Sequence, residues 1–399
     1  MKTNNNIPAY RFQGYTDAWE LRKLGEITEK QFGGGTPTTS NALFWEGNIP
    51  WIQSSDLEEG IFSVGPRKYI TKAGLGNSSA QLIPKNSIAI VTRVGVGKLA
   101  FMPFTYTTSQ DFLSISYLKT NELFTTYSLY IKLQNEIKVL QGTSIKGITK
   151  NELLIKEIPI PSLPEQETIG TFFSTLDRHI TLHQRKLDTL KEQKKTYLKL
   201  LFPAKGQTKP ALRFQGFEDD WEEVKLGEVL VEYNKKSEIE NQFELLSSTN
   251  SGIEPRSGRV SGESNIGYKI IKRGMVVLSP QNLWLGNINY NAKFEIGIVS
   301  PSYKVFNING PNELYLATVL RLPKMFFEYA QASVQGASIV RRNLDLDLFS
   351  SILVQLPSLP EQEVIGTFFQ TLDQEIAQVE DKLASLKEMK KTLLRKLFV

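Results

Sequence analysis

Apolar residues alternate at spacings of three and four over two long stretches of the chain. The main seam residues are Ile169, Leu176, Ile180, Leu187, Leu190 and Leu201 in the first stretch, and Ile365, Leu372, Ile376, Leu383, Leu386 and Leu397 in the second. The spacing is completed by Phe172, His183, Lys194 and Tyr197 in the first stretch and by Phe369, Val379, Lys390 and Leu393 in the second, so that three of the positions are polar. This spacing, sustained for about five heptads, is typical of a coiled-coil seam. Each helix should contain about 38 residues and extend roughly 57 Å. Because the two seams have equal length, we expect the helices to pair with each other; two independent amphipathic helices are the simpler alternative.

The two helical stretches are copies of each other. Residues 161–202 and 357–398 both begin with P-S-L-P-E-Q-E and are identical at 27 of 42 positions. A second pair of similar segments lies before the variable blocks, one segment before each block. Residues 11–27 and 213–229 both begin with R-F-Q-G and are identical at 11 of 17 positions. The chain therefore consists of two homologous halves, with a period far too long for a solenoid repeat.

The blocks between the copies, 28–160 and 230–356, match poorly. Only faint landmarks recur, such as S-I-A-I-V-T at 87–92, which loosely echoes M-V-V-L-S at 275–279. The similar segments must serve a common structural purpose, whereas the dissimilar blocks can perform two different tasks.

Four segments follow from this pattern. They are 1–160, an N-terminal arm and first globular domain; 161–205, a central long helix and linker; 206–356, a second globular domain; and 357–399, a C-terminal long helix. The globular blocks mix turns with strand-like runs at Ile49–Ile52, Ile88–Thr92, Lys269–Ile271 and Val276–Leu278. The predicted fold class is α+β, with two globular α/β domains, two long helices and an internal repeat.

Composition excludes several classes of protein. The 399 residues are 40% hydrophobic and 22% charged, which is ordinary for a globular protein. No stretch approaches the roughly 20 consecutive apolar residues of a membrane helix, and residues 1–10 do not resemble a signal peptide. The absence of cysteine excludes disulfides and thiolate metal sites. The net charge of +5 is too small for a protein that coats nucleic acid by charge alone. We therefore expect a cytoplasmic protein without a membrane partner.

Familiar catalytic motifs fail in this sequence. The only histidines, His179 and His183, lie on the predicted coiled-coil helix and lack the glutamate and third ligand of a zinc protease site. The run G-V-G-K at 95–98 lacks the first glycine and the final Ser or Thr of a phosphate loop. We therefore predict that the chain recognises a ligand, holds no metal and has no catalytic residues of its own.

The variable blocks carry polar side chains suited to reading DNA. The first block has a loop G-G-G-T-P-T-T-S-N at 33–41 followed by aromatic residues, and short polar groups of this kind can reach base edges and phosphates. The candidates in the first block are Thr36, Thr38, Thr39, Ser40, Asn41, Arg93, Lys98, Gln110 and Lys146. The candidates in the second block are Ser247, Ser248, Asn250, Arg256, Arg259, Arg273, Gln281, Asn282, Arg341 and Arg342. For any one of these, a plain surface role is the alternative. Trp19, Trp45, Trp51 and Trp221 are expected to pack in cores.

The arrangement resembles the DNA-specificity subunit of type I restriction–modification systems. The resemblance is carried by G-G-G-T-P-T-T-S-N with I-P-W-I in the first block, by G-T-S-I-K-G-I-T before the first helix, and by L-P-E-Q-E at the head of both helices. The second block lacks the G-G-T-P loop. The resemblance implies that each block is a target recognition domain, and that the helices form an antiparallel coiled coil that separates the two domains. It also implies a bipartite, asymmetric DNA target with one half-site per domain.

The same resemblance implies a division of labour among subunits. This chain would bind double-stranded DNA and dock two copies of a methyltransferase subunit, and motor–nuclease subunits would join through them. No cofactor would bind this chain, since S-adenosylmethionine, ATP and Mg²⁺ would act on the partners. Two alternatives stay open: a recognition subunit of a related bipartite-site nuclease–methyltransferase, and a helical scaffold that binds proteins rather than DNA.

Overall fold

The chain forms two compact units. The computed structural model describes residues 6–57, 60–62, 65–139, 147–204, 206–256, 264–338 and 341–398. Unit 1 comprises Met1–Arg185 and Asp381–Val399, and unit 2 comprises Lys186–Glu380. Each unit therefore contains one variable block together with a part of each long helix.

Unit 1 is built around a four-stranded antiparallel sheet. Its elements are β1 (Glu20–Lys23), α1 (Leu24–Ile27), β2 (Thr28–Gly33), β3 (Trp45–Ile52), β4 (Lys68–Ile70), α2 (Lys72–Gly76), β5 (Ser87–Val91), β6 (Leu99–Met102), β7 (Thr107–Thr108), β8 (Phe112–Leu118), α3 (Glu122–Val139), α4 (Lys150–Leu154), β9 (Glu157–Ile160) and the first part of α5 (Leu163–Leu200). The strand order is β2-β8-β5-β6, and a smaller sheet has the order β4-β3-β7.

Strand β5 is the centre of unit 1. All five of its residues are buried, and successive side chains point to opposite faces of the sheet. Ile88 and Ile90 pack in a cluster with Phe124 of α3, whereas Ala89 and Val91 pack in a second cluster on the other face. A strand covered on both faces needs a continuous apolar run, which I-A-I-V supplies, and the buried Ser87 hydroxyl donates to Tyr106 at 3.0 Å.

The two ends of the variable block meet in a small base, which consists of β1, α1, α4 and β9. Strand β1 pairs antiparallel with β9, so that Glu20 lies opposite Ile160. Helices α1 and α4 pack closely, because a Cβ atom at Gly25 would lie 3.3 Å from the carbonyl oxygen of Leu154. The Leu24 amide also donates to the carbonyl of Lys156 at 2.9 Å. The block thus begins and ends on the same structural platform.

Unit 2 repeats this plan. Its elements are the remainder of α5, then β10 (Glu222–Lys225), α6 (Leu226–Val229), β11 (Leu230–Glu232), β12 (Leu246–Thr249), β13 (Gly252–Pro255), β14 (Lys269–Lys272), β15 (Val276–Leu278), β16 (Ile288–Tyr290), β17 (Ile296–Val299), β18 (Lys304–Ile308), α7 (Glu313–Leu320), α8 (Pro323–Gln331), β19 (Ser333–Ser338), β20 (Arg341–Leu344), α9 (Leu346–Ser350), β21 (Leu353–Leu356) and the first part of α10 (Leu359–Leu397). Its four-stranded sheet has the order β11-β18-β15-β16, and β10 pairs with β21 in a base like that of unit 1. The faint echo of S-I-A-I-V-T in M-V-V-L-S is thereby explained, since β5 and β15 occupy the same place in the two sheets.

The two long helices run antiparallel within each unit. In unit 1, Asp177 of α5 pairs with Lys390 of α10 at 2.5 Å, and further along α5 Gln184 accepts from Lys387 at 3.3 Å. In unit 2, Lys191 pairs with Glu380 at 2.7 Å, and Lys194 pairs with Asp373. Residue numbers rise on one helix as they fall on the other, so the predicted antiparallel pairing is confirmed within each unit.

The predicted seam positions lie inside these helix pairs and the adjoining cores. Ile169, Leu176, Leu187, Leu190, Leu201, Ile365, Leu372, Ile376, Leu383, Leu386 and Leu397 are buried, and Ile180 is half-buried. Ile169 and Leu397 join the core of unit 1, and Ile365 and Leu201 join that of unit 2. The ends of each seam therefore anchor the helices on the globular part of each unit.

Candidate nucleic-acid interface

The glycine loop of unit 1, residues 33–41, packs closely against the backbone of neighbouring segments. A Cβ atom at Gly34 would lie 1.7 Å from the carbonyl oxygen of Ser109, and one at Gly35 would lie 2.3 Å from the amide nitrogen of Ala80. The Gly35 amide donates to Thr108 at 2.8 Å, and the indole of Trp51 donates to the Gly35 carbonyl at 2.9 Å. Only glycine fits at these two positions, so the run G-G-G fixes where the polar loop leaves the sheet.

Beyond the glycines, the loop divides into structural and exposed side chains. Thr36 donates a hydrogen bond to Gln110, and Asn41 caps the 3₁₀ turn Ala42–Phe44 by accepting from the Leu43 amide at 3.1 Å. The indole of Trp45 donates to the Thr38 carbonyl at 3.2 Å. The side chains of Thr38, Thr39 and Ser40 are exposed to solvent. The structure thus holds the loop backbone and presents three short hydroxyl side chains at its tip.

An aromatic pair with a cation lies beside this loop. Trp45 and Trp51 meet edge to face with centroids 5.2 Å apart, and the Lys68 ammonium lies 5.7 Å and 5.8 Å from the two rings. Trp51 is buried and Trp45 is half-buried, so both act mainly in packing, as expected from the sequence. Trp19 and Trp221 are buried in the cores of units 1 and 2. Lys68 was not among the sequence candidates, and its position next to the loop follows from the pairing of β3 with β4.

The remaining first-block candidates are less closely grouped. Arg93 and Lys98 are exposed residues of the turn that joins β5 to β6, and Lys98 donates to the Leu57 carbonyl at 3.2 Å. Gly95 and Gly97 in this turn both have positive φ, near 90°. The run G-V-G-K is therefore a hairpin turn, and the phosphate-loop interpretation is excluded by the structure as well. Lys146 lies outside the described residues.

Unit 2 places different residues where unit 1 has the glycine loop. The segment Tyr233–Ser237 follows β11 as the loop of unit 1 follows β2. The Tyr233 amide donates to Val305 at 2.8 Å and so extends the β11–β18 pairing by one residue, whereas the Gly35 amide of unit 1 donates to Thr108 of β7. The Ser237 amide then donates to the Tyr268 carbonyl at 2.8 Å, so this segment lies next to the start of β14. The second block therefore has a topological counterpart of the loop, with Lys235 and Lys236 at its exposed positions.

One second-block candidate, Ser248, has its side chain in an internal hydrogen-bond network. The Ser248 hydroxyl is buried, donates to Asn287 at 2.7 Å and accepts from Asn289 at 2.7 Å. Arg321 donates to the side chain of Asn289 at 2.5 Å and to the Asn250 carbonyl at 3.0 Å. This network fixes the β12–β13 hairpin, so the Ser248 side chain serves the fold, while the Asn250 side chain stays exposed at the hairpin tip.

The other second-block candidates lie on several different elements. Ser247 is half-buried on β12, Arg256 is half-buried after β13, Arg273 is exposed and pairs with Glu295 at 3.3 Å, Gln281 is exposed, Asn282 is half-buried before a 3₁₀ turn, and Arg341 and Arg342 lie on β20. Arg259 lies outside the described residues. The structure does not gather these residues into one cluster with the segment that follows β11.

A group of lysines that sequence reasoning missed lies next to that segment. Lys304 pairs with Glu232 at 2.8 Å, while the buried Lys269 lies 3.9 Å from the same carboxylate. Burial, followed by the charge of Lys304, lowers the pKa of Lys269. The pair Lys235-Lys236, which begins three residues after the end of β11, is the sequence signal that indicates this place.

The positive charge along α5 is largely paired. In unit 2, Lys186, Lys191 and Lys194 form ion pairs with Glu375, Glu380 and Asp373 of α10. These three lysines therefore join the two helices, whereas Lys195 pairs with Glu192 of α5 itself. Among the described residues, no group of three or more histidines and acids is placed to hold a metal, and no helix has the length and apolar character to cross a membrane.

Comparison with known proteins identifies relatives of both halves. The family model for the type I restriction modification DNA specificity domain matches residues 16–192 and again residues 218–388. A type I restriction enzyme specificity subunit of Methanocaldococcus jannaschii is 31% identical over 184 residues, which are 44% of this chain and 41% of that protein. One from Escherichia coli is 32% identical over 197 residues, 46% of this chain and 48% of that protein. Each match spans less than half of the relative's length.

A solved structure supports the fold over the whole chain. The crystal structure of the S subunit of a type I restriction–modification system from M. genitalium superposes with a TM-score of 0.64, at 20% sequence identity, and covers 98% of this chain and 99% of that one. At this level of identity the likeness establishes the fold.

Proposed function

Since the chain belongs to the family of type I restriction modification DNA specificity domains, which it contains twice, we propose that it selects the DNA sequence on which a type I restriction–modification complex acts. The observation that carries the proposal is that the two units share one fold but present different side chains after the first strand of their sheets. Units 1 and 2 have the same sheet order and the same base, but the segment after the first strand differs completely.

The two surfaces differ in chemistry, which favours a bipartite and asymmetric target. In unit 1 the loop presents hydroxyl groups at Thr38, Thr39 and Ser40 beside Lys68. In unit 2 the equivalent segment presents lysines, with Lys269 and Lys304 close by. Hydroxyl groups can contact any base edge, whereas lysines contact phosphates and the acceptor atoms of guanine. We propose that each unit reads one half-site of double-stranded DNA.

Docking of partners is supported by exposed residues that are the same in both halves. Leu163 and Leu359, which begin the two long helices, are 52% and 58% exposed. Glu167 and Glu363, one turn later, are exposed as well. Identity at exposed positions is not required by packing, and a repeated surface suits two copies of the same protein. We propose that two methyltransferase subunits dock on these helix heads.

The partner subunits would then carry out the catalytic steps. In this proposal the methyltransferase subunits bind S-adenosylmethionine and methylate adenine, and motor–nuclease subunits use ATP and Mg²⁺. The present chain contributes no catalytic residue, and the complex works on DNA in the cytoplasm.

Methylome sequencing of cells that carry this chain tests the proposal. Cells that express the chain with its methyltransferase partner should carry methylated adenines in a motif with two different half-sites. Cells that express the partner alone are the matched control and should lack that motif. A methylated motif without this chain would contradict the proposal, and failure of the purified complex to bind DNA would favour the protein-binding scaffold. A partner that joins nuclease and methyltransferase in one polypeptide would favour the related bipartite systems.

A further inference from the structure

In unit 2, Lys304 and Lys269 share the carboxylate of Glu232, and Lys236 lies next to Lys269. Glu232 lies at the end of β11, and its Oε1 atom accepts from Lys304 Nζ at 2.8 Å. The same oxygen is 3.9 Å from Lys269 Nζ, which is within ion-pair range but beyond hydrogen-bond distance. Lys236 forms a β-bridge with Lys269, and residues paired in this way place their side chains on the same face. Among the described residues, Glu232 therefore pairs with two lysines, and Lys236 adds a third positive charge next to Lys269.

Lys269 is the unusual member of this group. Its side chain is only 8% exposed, whereas lysines are almost never buried unless they are paired. Among the described residues, Glu232 is the carboxylate within ion-pair range of Lys269, and it is already hydrogen bonded to Lys304. Burial, then Lys304, and more weakly Lys236, lower the pKa of Lys269, and Glu232 opposes them only in part. A buried ammonium with this surplus of positive neighbours is stabilised by a further anion.

The position of the group connects it to the recognition surface. Lys236 belongs to the segment after β11, which replaces the glycine loop of unit 1. The Ile270 amide of β14 donates to the Lys235 carbonyl at 2.9 Å, so the segment and the strand that carries Lys269 are held together. The surplus charge therefore lies beside the segment through which unit 2 would contact DNA.

We propose that Lys236, Lys269 and Lys304 together bind one backbone phosphate of the DNA that unit 2 contacts. The proposal rests on the proposed function, because it presumes that unit 2 binds DNA. A phosphate contact fixes the register of a protein on the duplex and carries no sequence information itself. The three lysines would thus position unit 2, while other side chains read its half-site.

The salt dependence of DNA binding tests this site. The chain assembled with its methyltransferase partner is titrated with a duplex that carries its target and with a duplex of scrambled half-sites, over a series of salt concentrations. Lys269→Met should lower the slope of log affinity against log salt by up to about one, and should weaken binding to both duplexes by the same factor. Lys304→Met should act in the same way. The double variant should lose no more than about one unit of slope, because both lysines hold the same phosphate.

Lys272→Met is the matched control. Lys272 is an exposed residue of the same strand, three positions from Lys269 and therefore on the opposite face. It should leave slope and affinity as in the wild type. If Lys269→Met does not fold, Lys236→Met and Lys304→Met carry the test, since both side chains are more exposed. Wild-type slopes in these variants would overturn the lysine site alone, whereas a wild-type complex that binds neither duplex would overturn the proposed function as well.

Discussion

Two arginines explain why the shared sequence motifs recur together. Arg11 of the first R-F-Q-G motif donates twice to Glu165 of the first L-P-E-Q-E motif, both at 2.7 Å. Arg213 and Glu361 form the same bidentate pair in unit 2. The motifs are far apart in sequence, but each pair ties the start of a unit to the head of a long helix. The same ion pair is thus formed in both halves and joins the two repeated motifs in each.

Loss of one such arginine should be costly. Glu165 is 1% exposed, so Arg11→Met leaves a buried carboxylate without its partner and should destabilise unit 1 by about 3–5 kcal/mol. Arg22→Met is the control, because its pair with Glu20 is largely exposed and should contribute at most about 1 kcal/mol. Urea unfolding of the purified chain measures both.

A second variant separates charge burial from packing. Adding Glu165→Gln to Arg11→Met removes the buried charge and should recover part of the lost free energy of unfolding. A single Arg11→Met variant as stable as the Arg22→Met control would show that the ion pair does not hold the helix head.

At the residue scale, the sequence revealed which positions recur but not which residues meet. The glycines of G-G-G-T-P were visible, yet their purpose depends on the backbone of Ser109 and Ala80, which lie far along the chain. Ser248 resembled its exposed neighbours in sequence, and only the fold shows that Asn287 and Asn289 enclose it. Lys269 lies in a strand-like run, and nothing in the local sequence indicates that its side chain is buried next to other lysines. Contacts between distant residues carry no local pattern, so these roles needed the structure.

At the scale of elements, the hydrophobic periodicity correctly predicted the long helices and the central strands. The first helical stretch was expected at 161–202, and α5 spans Leu163–Leu200. The runs at Ile88–Thr92 and Val276–Leu278 became β5 and β15. The base was missed, because β1 and β9 have four residues each and pair across the whole variable block. Strands this short give too few alternating positions to be recognised.

The heads of the long helices provide an element-scale prediction. Leu163→Asp and Leu359→Asp should leave stability and DNA binding of the chain nearly unchanged, because both side chains are exposed. If these residues dock the methyltransferase, each variant should lose one copy of the partner and the double variant both. Native mass spectrometry of the assembled complex counts the copies.

The chain offers a matched control on the same helix. Leu182 is 56% exposed on α5, but the second helix has Gln378 at the corresponding position. Leu182→Asp should therefore leave both partners bound. Loss of a partner in this variant, or full assembly of the double head variant, would argue against docking at the helix heads.

At the scale of the whole chain, the repeat was evident from sequence, but the limits of an exchangeable block were not. The variable block ends at residue 160, where the identity between the two halves resumes, which suggests exchange of residues 28–160. The structure shows that β9 and α4 within that range belong to the base, because they pair with β1 and α1. Thr149 caps α4 by accepting from the Glu152 amide at 3.2 Å. A replacement that ends at residue 148 therefore keeps the base and its cap intact.

Exchange of residues 28–148 for the corresponding block of another specificity subunit should change one half-site and leave the other unchanged. The physical reason is that the block lies wholly within unit 1, while the recognition residues of unit 2 retain their own core. The reciprocal exchange of residues 230–344, which stops before Asp345 caps α9, should change only the other half-site. Methylome sequencing of cells that carry each chimera with the same methyltransferase partner reads both half-sites in one experiment. If either single exchange altered both half-sites, the two units would not read DNA independently, and the assignment of one half-site to each unit would be wrong.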